Sequence, residues 1–267
     1  MNRSGSGWVR DWLPPTVVIV GSAVAWEIAA RASGLPPLVL PPLSRVVEAG
    51  LDTSGVLGQA VATTLLETVI GLIAAVALGI ALAAVIDFSP LLRRALRPIL
   101  VASQTVQILA IAPLMIIWFG FGLLPTVMIV VLVCFFPVAV SAADGLASAD
   151  PDLIALLRAM GASRRQIFQM VRLPAAMPAF FSGLRVAVTY SVVGATIGEW
   201  VGGTVGLGLY MLRAKNALAT DQVFVGIIVT TALSIALFGL VVLIERVALP
   251  WYHTARRAEQ WDDIGIY

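Results

Sequence analysis

Charged side chains are scarce in this sequence. Only 12% of its 267 residues are Asp, Glu, Lys or Arg, whereas 60% are hydrophobic. An average soluble domain carries roughly 25% charged residues, which cover its surface in water. A disordered chain is excluded as well, because disordered chains hold far less apolar surface than this one. The composition therefore predicts an all-α polytopic membrane protein.

Three residue types that support chemistry occur once each. The only lysine, Lys215, is followed by Asn216, so the sequence has no G-K-S/T phosphate loop and no Walker-type ATPase site. One cysteine, Cys134, and one histidine, His253, exclude a disulfide and a Cys/His metal cluster. We therefore expect no catalytic residue, no metal site and no cofactor in this chain, and no nucleic acid as a partner. An enzyme within the membrane is disfavoured for the same reason.

Six long apolar runs follow one another along the chain. Each is close to the roughly 20 residues that cross a hydrocarbon core as a helix. We place them at about 16–32, 64–86, 99–119, 124–143, 178–201 and 223–249. No repeat and no soluble domain separates them, so we expect residues 1–267 to form a single transmembrane domain.

Basic residues are distributed unevenly between alternate loops. With the N-terminus inside the cell, the outer segments hold only Arg31, Arg45, Arg213 and Lys215, and the other loop arginines are inside. The positive-inside rule therefore predicts that both termini are cytoplasmic. We expect the first run to be retained as a helix, although residues 30–32 have the form of a signal-peptidase site.

The cytoplasmic loop at residues 144–177, which we call the coupling loop, predicts two short helices. Asp150 before a proline is a typical helix start, and Gly161 suits the left-handed residue that ends one. Apolar residues at helical spacing form a stripe between them: Leu153, Leu156, Leu157 and Met160. Ser163 and Gln166 form a capping box for a second helix, which we expect to stop at Pro174. From these residues alone, the helices either lie on lipid headgroups or dock a soluble partner.

A longer pattern in the coupling loop resembles a known family. Nine residues after Gly161 come Val171-x-Leu173-Pro174. This resembles the second half of the EAA loop of ATP-binding-cassette importer permeases, which reads E-A-A, three residues, G, nine residues, I-x-L-P. The E-A-A positions are held here by Ala155, Leu156 and Leu157, so the glutamate of the motif is missing.

Other segments extend the resemblance over nearly the whole chain. The proline-rich stretch 36–42, the W-F-G-F-G run at 118–122 and the G-E-W-V-G run at 198–202 are similar to one branch of these permeases. That branch imports nitrate, sulfonates, taurine, bicarbonate, riboflavin and thiamine pyrimidine precursors. The G-E-W-V-G run and the closing L-P-W at 249–251 resemble the pyrimidine-precursor members most.

The resemblance implies a multi-pass inner-membrane permease with the type I importer fold. It implies a homodimer that lines one path, two cytoplasmic ATP-binding subunits that bind the ATP, and an extracytoplasmic substrate-binding protein. In this family, the coupling loop contacts the ATPase. The positions that correspond here are Asp150, Leu153, Ala155, Leu156, Leu157, Met160, Gly161, Leu173 and Pro174.

Polar residues in apolar spans are candidates for the translocation path, because they are costly in lipid. The candidates are Gln104, Gln107, Tyr190, Ser191 and Glu199. The two glutamines share a helix face and either bond to another helix or line the path. Tyr190 offers a flat face and a hydroxyl that suit a heteroaromatic solute. Glu199 is either an interfacial carboxylate or a gate for the solute.

A function of another class is an ion-driven secondary transporter or a channel, which would need no ATPase partner. The capped coupling loop, with Gly161 and Leu173-Pro174, favours the permease.

Overall fold

The computed structural model of the protein describes residues 6–88, 91, 92, 94–96, 98, 107–250 and 252, with the backbone alone for residues 6–12, 15 and 88. These residues contain helices and no strand. In chain order, the helices are α1 (Ser6–Ala32), α2 (Leu43–Asp52), α3 (Ser54–Phe88), α4 (Ile108–Phe119), α5 (Leu123–Ala147), α6 (Pro151–Ala159), α7 (Arg164–Ile167), α8 (Leu173–Gly202), α9 (Leu207–Asn216) and α10 (Thr220–Ala248). The all-α prediction is confirmed.

Four stretches of helix are long and apolar enough to cross a membrane. They are Ser54–Asp87, Leu123–Ala147, Arg164–Gly202 and Thr220–Ala248. They contain the second, fourth and fifth predicted spans and all but the last residue of the sixth. Of the third predicted span, residues 99–106 lie outside the described residues, and the rest forms the shorter apolar helix α4. The first predicted span lies in α1, whose valines and isoleucines between residues 17 and 28 are exposed, as contact with lipid requires.

The prediction that a helix stops at Pro174 is wrong. A π turn at Phe168–Arg172 follows α7 and leads directly into α8, so the fifth span begins at Leu173 and Pro178 lies inside it. Pro174 has no N–H to donate to the preceding turn. The π turn changes the hydrogen-bond register just before the proline, so the helix continues past it.

Glycines bring α3, α5 and α8 into close contact. Gly71 and Gly79 of α3 face Val130 and Val138 of α5. Gly183 of α8 lies so near α5 that a Cβ there would be 2.5 Å from the Cβ of Ser141 and 2.6 Å from a backbone oxygen. Membrane helices gain little from burying apolar surface against one another, so close backbone approach of this kind supplies much of their packing energy.

Ion pairs join the helices where charged residues enter the bundle. Arg172 in the π turn pairs with Asp87 at the end of α3. Arg185 of α8 donates to Glu245 of α10 at 2.7 Å. At the opposite end of the bundle, Arg45 of α2 lies 3.2 Å from Asp221 of α10. Pairing lowers the cost of holding a charge in or beside the membrane.

Two glycines allow the packing of the bundle to be tested with a single methyl group. We expect Gly183→Ala to lower the free energy of unfolding by about 1–3 kcal/mol, because the added Cβ overlaps atoms of α5. A Cβ at Gly239 of α10 meets nothing within 4 Å. Gly239→Ala should therefore be neutral or stabilising by up to about 1 kcal/mol. Thermal unfolding in detergent measures both changes, and equal midpoints for the two variants would contradict this packing.

Candidate coupling loop and translocation path

The first helix of the coupling loop begins as the sequence predicts. The carboxylate of Asp150 accepts a hydrogen bond from the N–H of Asp152 at 2.8 Å, and Pro151 occupies the first helical position. Asp152 itself adds negative charge to the first turn. A capped N-terminus and an acidic first turn both stabilise a short helix, which isolated in water would be marginal.

The same helix ends at Gly161 in a Schellman motif. Gly161 has φ +83°, its N–H donates to the carbonyl of Arg158 at 3.0 Å, and the N–H of Ala162 donates to the carbonyl of Leu157 at 2.9 Å. A Cβ at Gly161 would meet nothing within 4 Å. Glycine is therefore required by the left-handed backbone and not by lack of space.

The second helix has the predicted capping box. The N–H of Ser163 donates to the Gln166 side-chain oxygen at 2.8 Å, and the N–H of Gln166 donates to the Ser163 hydroxyl at 3.3 Å. Two backbone donors at the start of this helix are thereby satisfied.

Ile154, which the sequence analysis missed, holds the two helices together. It is buried and packs with Ala149, Ile167 and Val171, with Leu157 partly buried beside it. The signal was its spacing of three residues from Leu157, which places both side chains on one helix face. The predicted stripe is therefore divided, because Leu157 turns inward with Ile154.

The rest of the stripe forms an exposed apolar face. Leu153, Leu156 and Met160 are 42%, 57% and 74% exposed. Ala155, at the position of the motif glutamate, is exposed beside them, and so is Leu173 near the end of the loop. We call Leu153, Leu156 and Met160 the docking face. The π turn and the Arg172–Asp87 ion pair fix the base of the loop to α8 and α3.

An open cavity of about 640 Å³ lies between α4, α5 and α8. None of the described residues that line it carries a charge at neutral pH. Aromatic side chains come from Phe136 and Tyr190, and the hydroxyls come from Ser141 and Tyr190. The volume falls within the range typical of sites for small organic ligands.

The path candidates are found in different surroundings. Tyr190 lines the cavity and is 52% exposed. Ser191 is fully buried and donates to the carbonyl of Val188 at 2.7 Å, so its hydroxyl is used within α8. Gln107 is exposed just before α4. Gln104 lies outside the described residues.

Glu199 lies near the C-terminal end of α8 and is not one of the described residues that line the cavity. Its side chain is fully buried. Its carboxylate accepts hydrogen bonds from the Thr64 hydroxyl and from the N–H of Gly208, both at 2.5 Å. Neither sequence interpretation, an interfacial carboxylate or a gate, anticipated this burial, which arises because α9 folds back over the end of α8 and covers the carboxylate.

Comparison with known proteins identifies the family. The sequence profile of the binding-protein-dependent transport system inner membrane component matches residues 68–248. The chain belongs to this family. It is thus the permease subunit of an ATP-binding-cassette importer, a transport component whose ATPase is a separate chain, and a multi-pass protein of the inner membrane. Such permeases work with ATP-binding subunits and a substrate-binding protein.

Three relatives illustrate the range of the family. The permease is 36% identical to the formylaminopyrimidine transport permease protein ThiX of Halalkalibacterium halodurans, over 90% of this chain and 96% of that one. It is 35% identical to the taurine transport system permease protein TauC of Escherichia coli, over 85% of each chain. It is 31% identical to the riboflavin transport system permease protein RibX of Chloroflexus aurantiacus, over 91% of each.

The fold is shared with solved importers. An inward-facing structure of the MetNI methionine ABC transporter matches with a TM-score of 0.59 and 18% identity, over 72% of this permease and 98% of that chain. At this identity, the match supports the fold and nothing finer.

Proposed function

We propose that the coupling loop binds the ATPase subunit through its docking face. The observation that carries this proposal is the exposure of Leu153, Leu156 and Met160 on a helix that is capped at both ends. A rigid, apolar docking face on a helix suits a groove on a soluble partner. The arginines at 158, 164 and 165 flank the docking face. By the positive-inside rule, they support a cytoplasmic side for this face and for both termini.

The coupling loop is continuous with a membrane-spanning helix, so a movement of the bound ATPase would displace that helix. Arg164–Gly202 is one stretch of helix from the coupling loop across the bundle. Arg172 ties its base to Asp87 of α3. A displacement of the docking face therefore acts on α8 and α3 together. Two such permeases, related by a twofold axis, would line one path, as the family resemblance implies.

Two adjacent positions provide a matched test of the docking face. We expect Leu156→Glu to lower the affinity for the ATPase about tenfold or more, because a charge replaces a leucine side chain that the bound ATPase would cover. Ala155→Glu introduces the same side chain one residue earlier, where the family motif has its glutamate, and should keep the ATPase bound. Co-purification of the ATPase with each tagged variant measures this. Retention of the ATPase by Leu156→Glu at the level of Ala155→Glu would refute the docking face.

For the transported solute, we propose a thiamine pyrimidine precursor of the hydroxymethylpyrimidine type. Its ring is flat, polar at the edge and uncharged, which matches a cavity that contains Phe136, Tyr190 and Ser141 and no charged side chain among its described lining residues. Nitrate or a sulfonate would find no cationic partner among the described residues that line that cavity. The name of the Halalkalibacterium relative points to the same class of solute.

Loss of uptake in a deletion strain tests the solute. We expect deletion of the gene for this permease to abolish high-affinity uptake of labelled hydroxymethylpyrimidine, and the wild-type gene to restore it. Uptake of taurine, nitrate and riboflavin should be unchanged. If pyrimidine uptake is unchanged and uptake of one of the other three solutes is lost, the proposal is refuted and that solute is the transported one.

A further inference from the structure

The buried carboxylate of Glu199 joins three helices at the end of α8 that is farthest from the coupling loop. Thr64 of α3 donates its hydroxyl to one carboxylate oxygen, and the N–H of Gly208 in α9 donates to the other. The Thr64 hydroxyl in turn accepts the N–H of Leu207 at 2.9 Å. We call Thr64, Glu199, Leu207 and Gly208 the carboxylate clamp.

The backbone around the clamp is shaped to admit the carboxylate. Gly206 has φ +143°, and a Cβ there would overlap the Glu199 carboxyl group. A Cβ at Gly208 would overlap the carbonyl oxygen of Thr196 and would lie 3.0 Å from a Glu199 oxygen. The G-L-G sequence at 206–208 therefore lets α9 begin directly on the carboxylate, as the N–H groups at a helix start favour an anion.

Further contacts tie α9 to the helices around it. The hydroxyl of Tyr210 is hydrogen-bonded to that of Thr53 at 2.9 Å, before the start of α3. Leu207, Tyr210 and Met211 are buried in one cluster with residues of α2, α3 and α10. The last turn of α9 carries Arg213 and Lys215, both exposed. With the coupling loop in the cytoplasm, this surface faces the side from which a binding protein arrives.

We propose that Glu199 is a positioning residue, and that through the carboxylate clamp it links α9 to α8 so that engagement of the binding protein is passed to the coupling loop. This inference rests on the proposed docking of the ATPase. The docking face lies on α6, which packs through Ile154 against the start of the helical stretch Arg164–Gly202. Glu199 lies three residues from the other end of that stretch. Loss of the Glu199 hydrogen bonds removes this link between α9 and α8 without changing a residue of the docking face or the cavity lining.

The clamp uses both side-chain oxygens of Glu199, whose carboxyl group also faces the buried carboxyl group of Glu67. Two donors, the Thr64 hydroxyl and the Gly208 N–H, approach two different oxygens of Glu199. A glutamine has one acceptor oxygen, so Glu199→Gln points an NH₂ group at one of the two donors. Thr64→Val removes the hydroxyl while keeping the shape, and leaves the N–H of Leu207 buried without an acceptor. Thr64→Ser keeps the hydroxyl and is the matched control.

Stimulation of the ATPase by the binding protein tests the clamp. The complex of permease, ATPase and loaded binding protein is placed in lipid nanodiscs, and ATP hydrolysis is measured with and without the binding protein. We expect Glu199→Gln and Thr64→Val to keep basal hydrolysis and to lose stimulation about tenfold, the factor expected for one charge-assisted hydrogen bond. Thr64→Ser should be stimulated like the wild type. Full stimulation of both clamp variants would overturn the proposal.

Hydrogen exchange tests the clamp independently of ATPase docking. The amides of Leu207 and Gly208 should be protected in the wild type and in Thr64→Ser, and should exchange faster in Thr64→Val and Glu199→Gln. This measurement needs no ATPase. A wild type that does not bind its ATPase would refute the docking face, whereas equal exchange in all four proteins would refute the clamp.

Discussion

The distance between α3, α5 and α8 is the constraint on which the other features depend. These helices approach one another through glycines, and any larger side chain at Gly183 or Gly71 would overlap the facing helix. Because the three helices are held this closely, the ends of α8 are fixed relative to α3. The coupling loop at one end and Glu199 at the other are therefore positioned by the same packing.

One helix that crosses the bundle connects the coupling loop on one side to the carboxylate clamp on the other. Arg164–Gly202 continues from the coupling loop, through the π turn and past the cavity, to the carboxylate clamp. Arg172 and Glu199 bind this helix to α3 near its two ends, and Arg185 binds it to α10 between them. The proposed docking of the ATPase and the proposed clamp thus both depend on the helical stretch Arg164–Gly202.

Local features were predictable from the sequence and distant ones were not. The caps at Asp150, Gly161 and Ser163 involve hydrogen bonds within a few residues, so residue type and spacing predicted them. Thr64 and Glu199 are 135 residues apart, and no local pattern pairs them. The burial of Glu199 was not predicted for that reason, since it depends on how α9 folds back.

Neighbouring residues on a helix also show that the sequence alone does not predict which side chain faces the cavity. Tyr190 and Ser191 are both polar, but consecutive side chains point about 100° apart, and only the packing of α5 against α8 decides which one faces the cavity. At Pro174, the rule that proline ends a helix failed because the π turn changes the hydrogen-bond register. The long apolar runs were predictable because a lipid environment leaves the backbone almost no alternative to a helix.

The central claim is that a separate ATPase drives import through this chain. It is tested most directly by uptake of labelled hydroxymethylpyrimidine into vesicles that contain the permease and its ATPase, with the binding protein on the outside. We predict that uptake requires ATP on the ATPase side and persists after all ion gradients are collapsed. Uptake that follows an ion gradient in vesicles without ATP would contradict the account and indicate a secondary transporter.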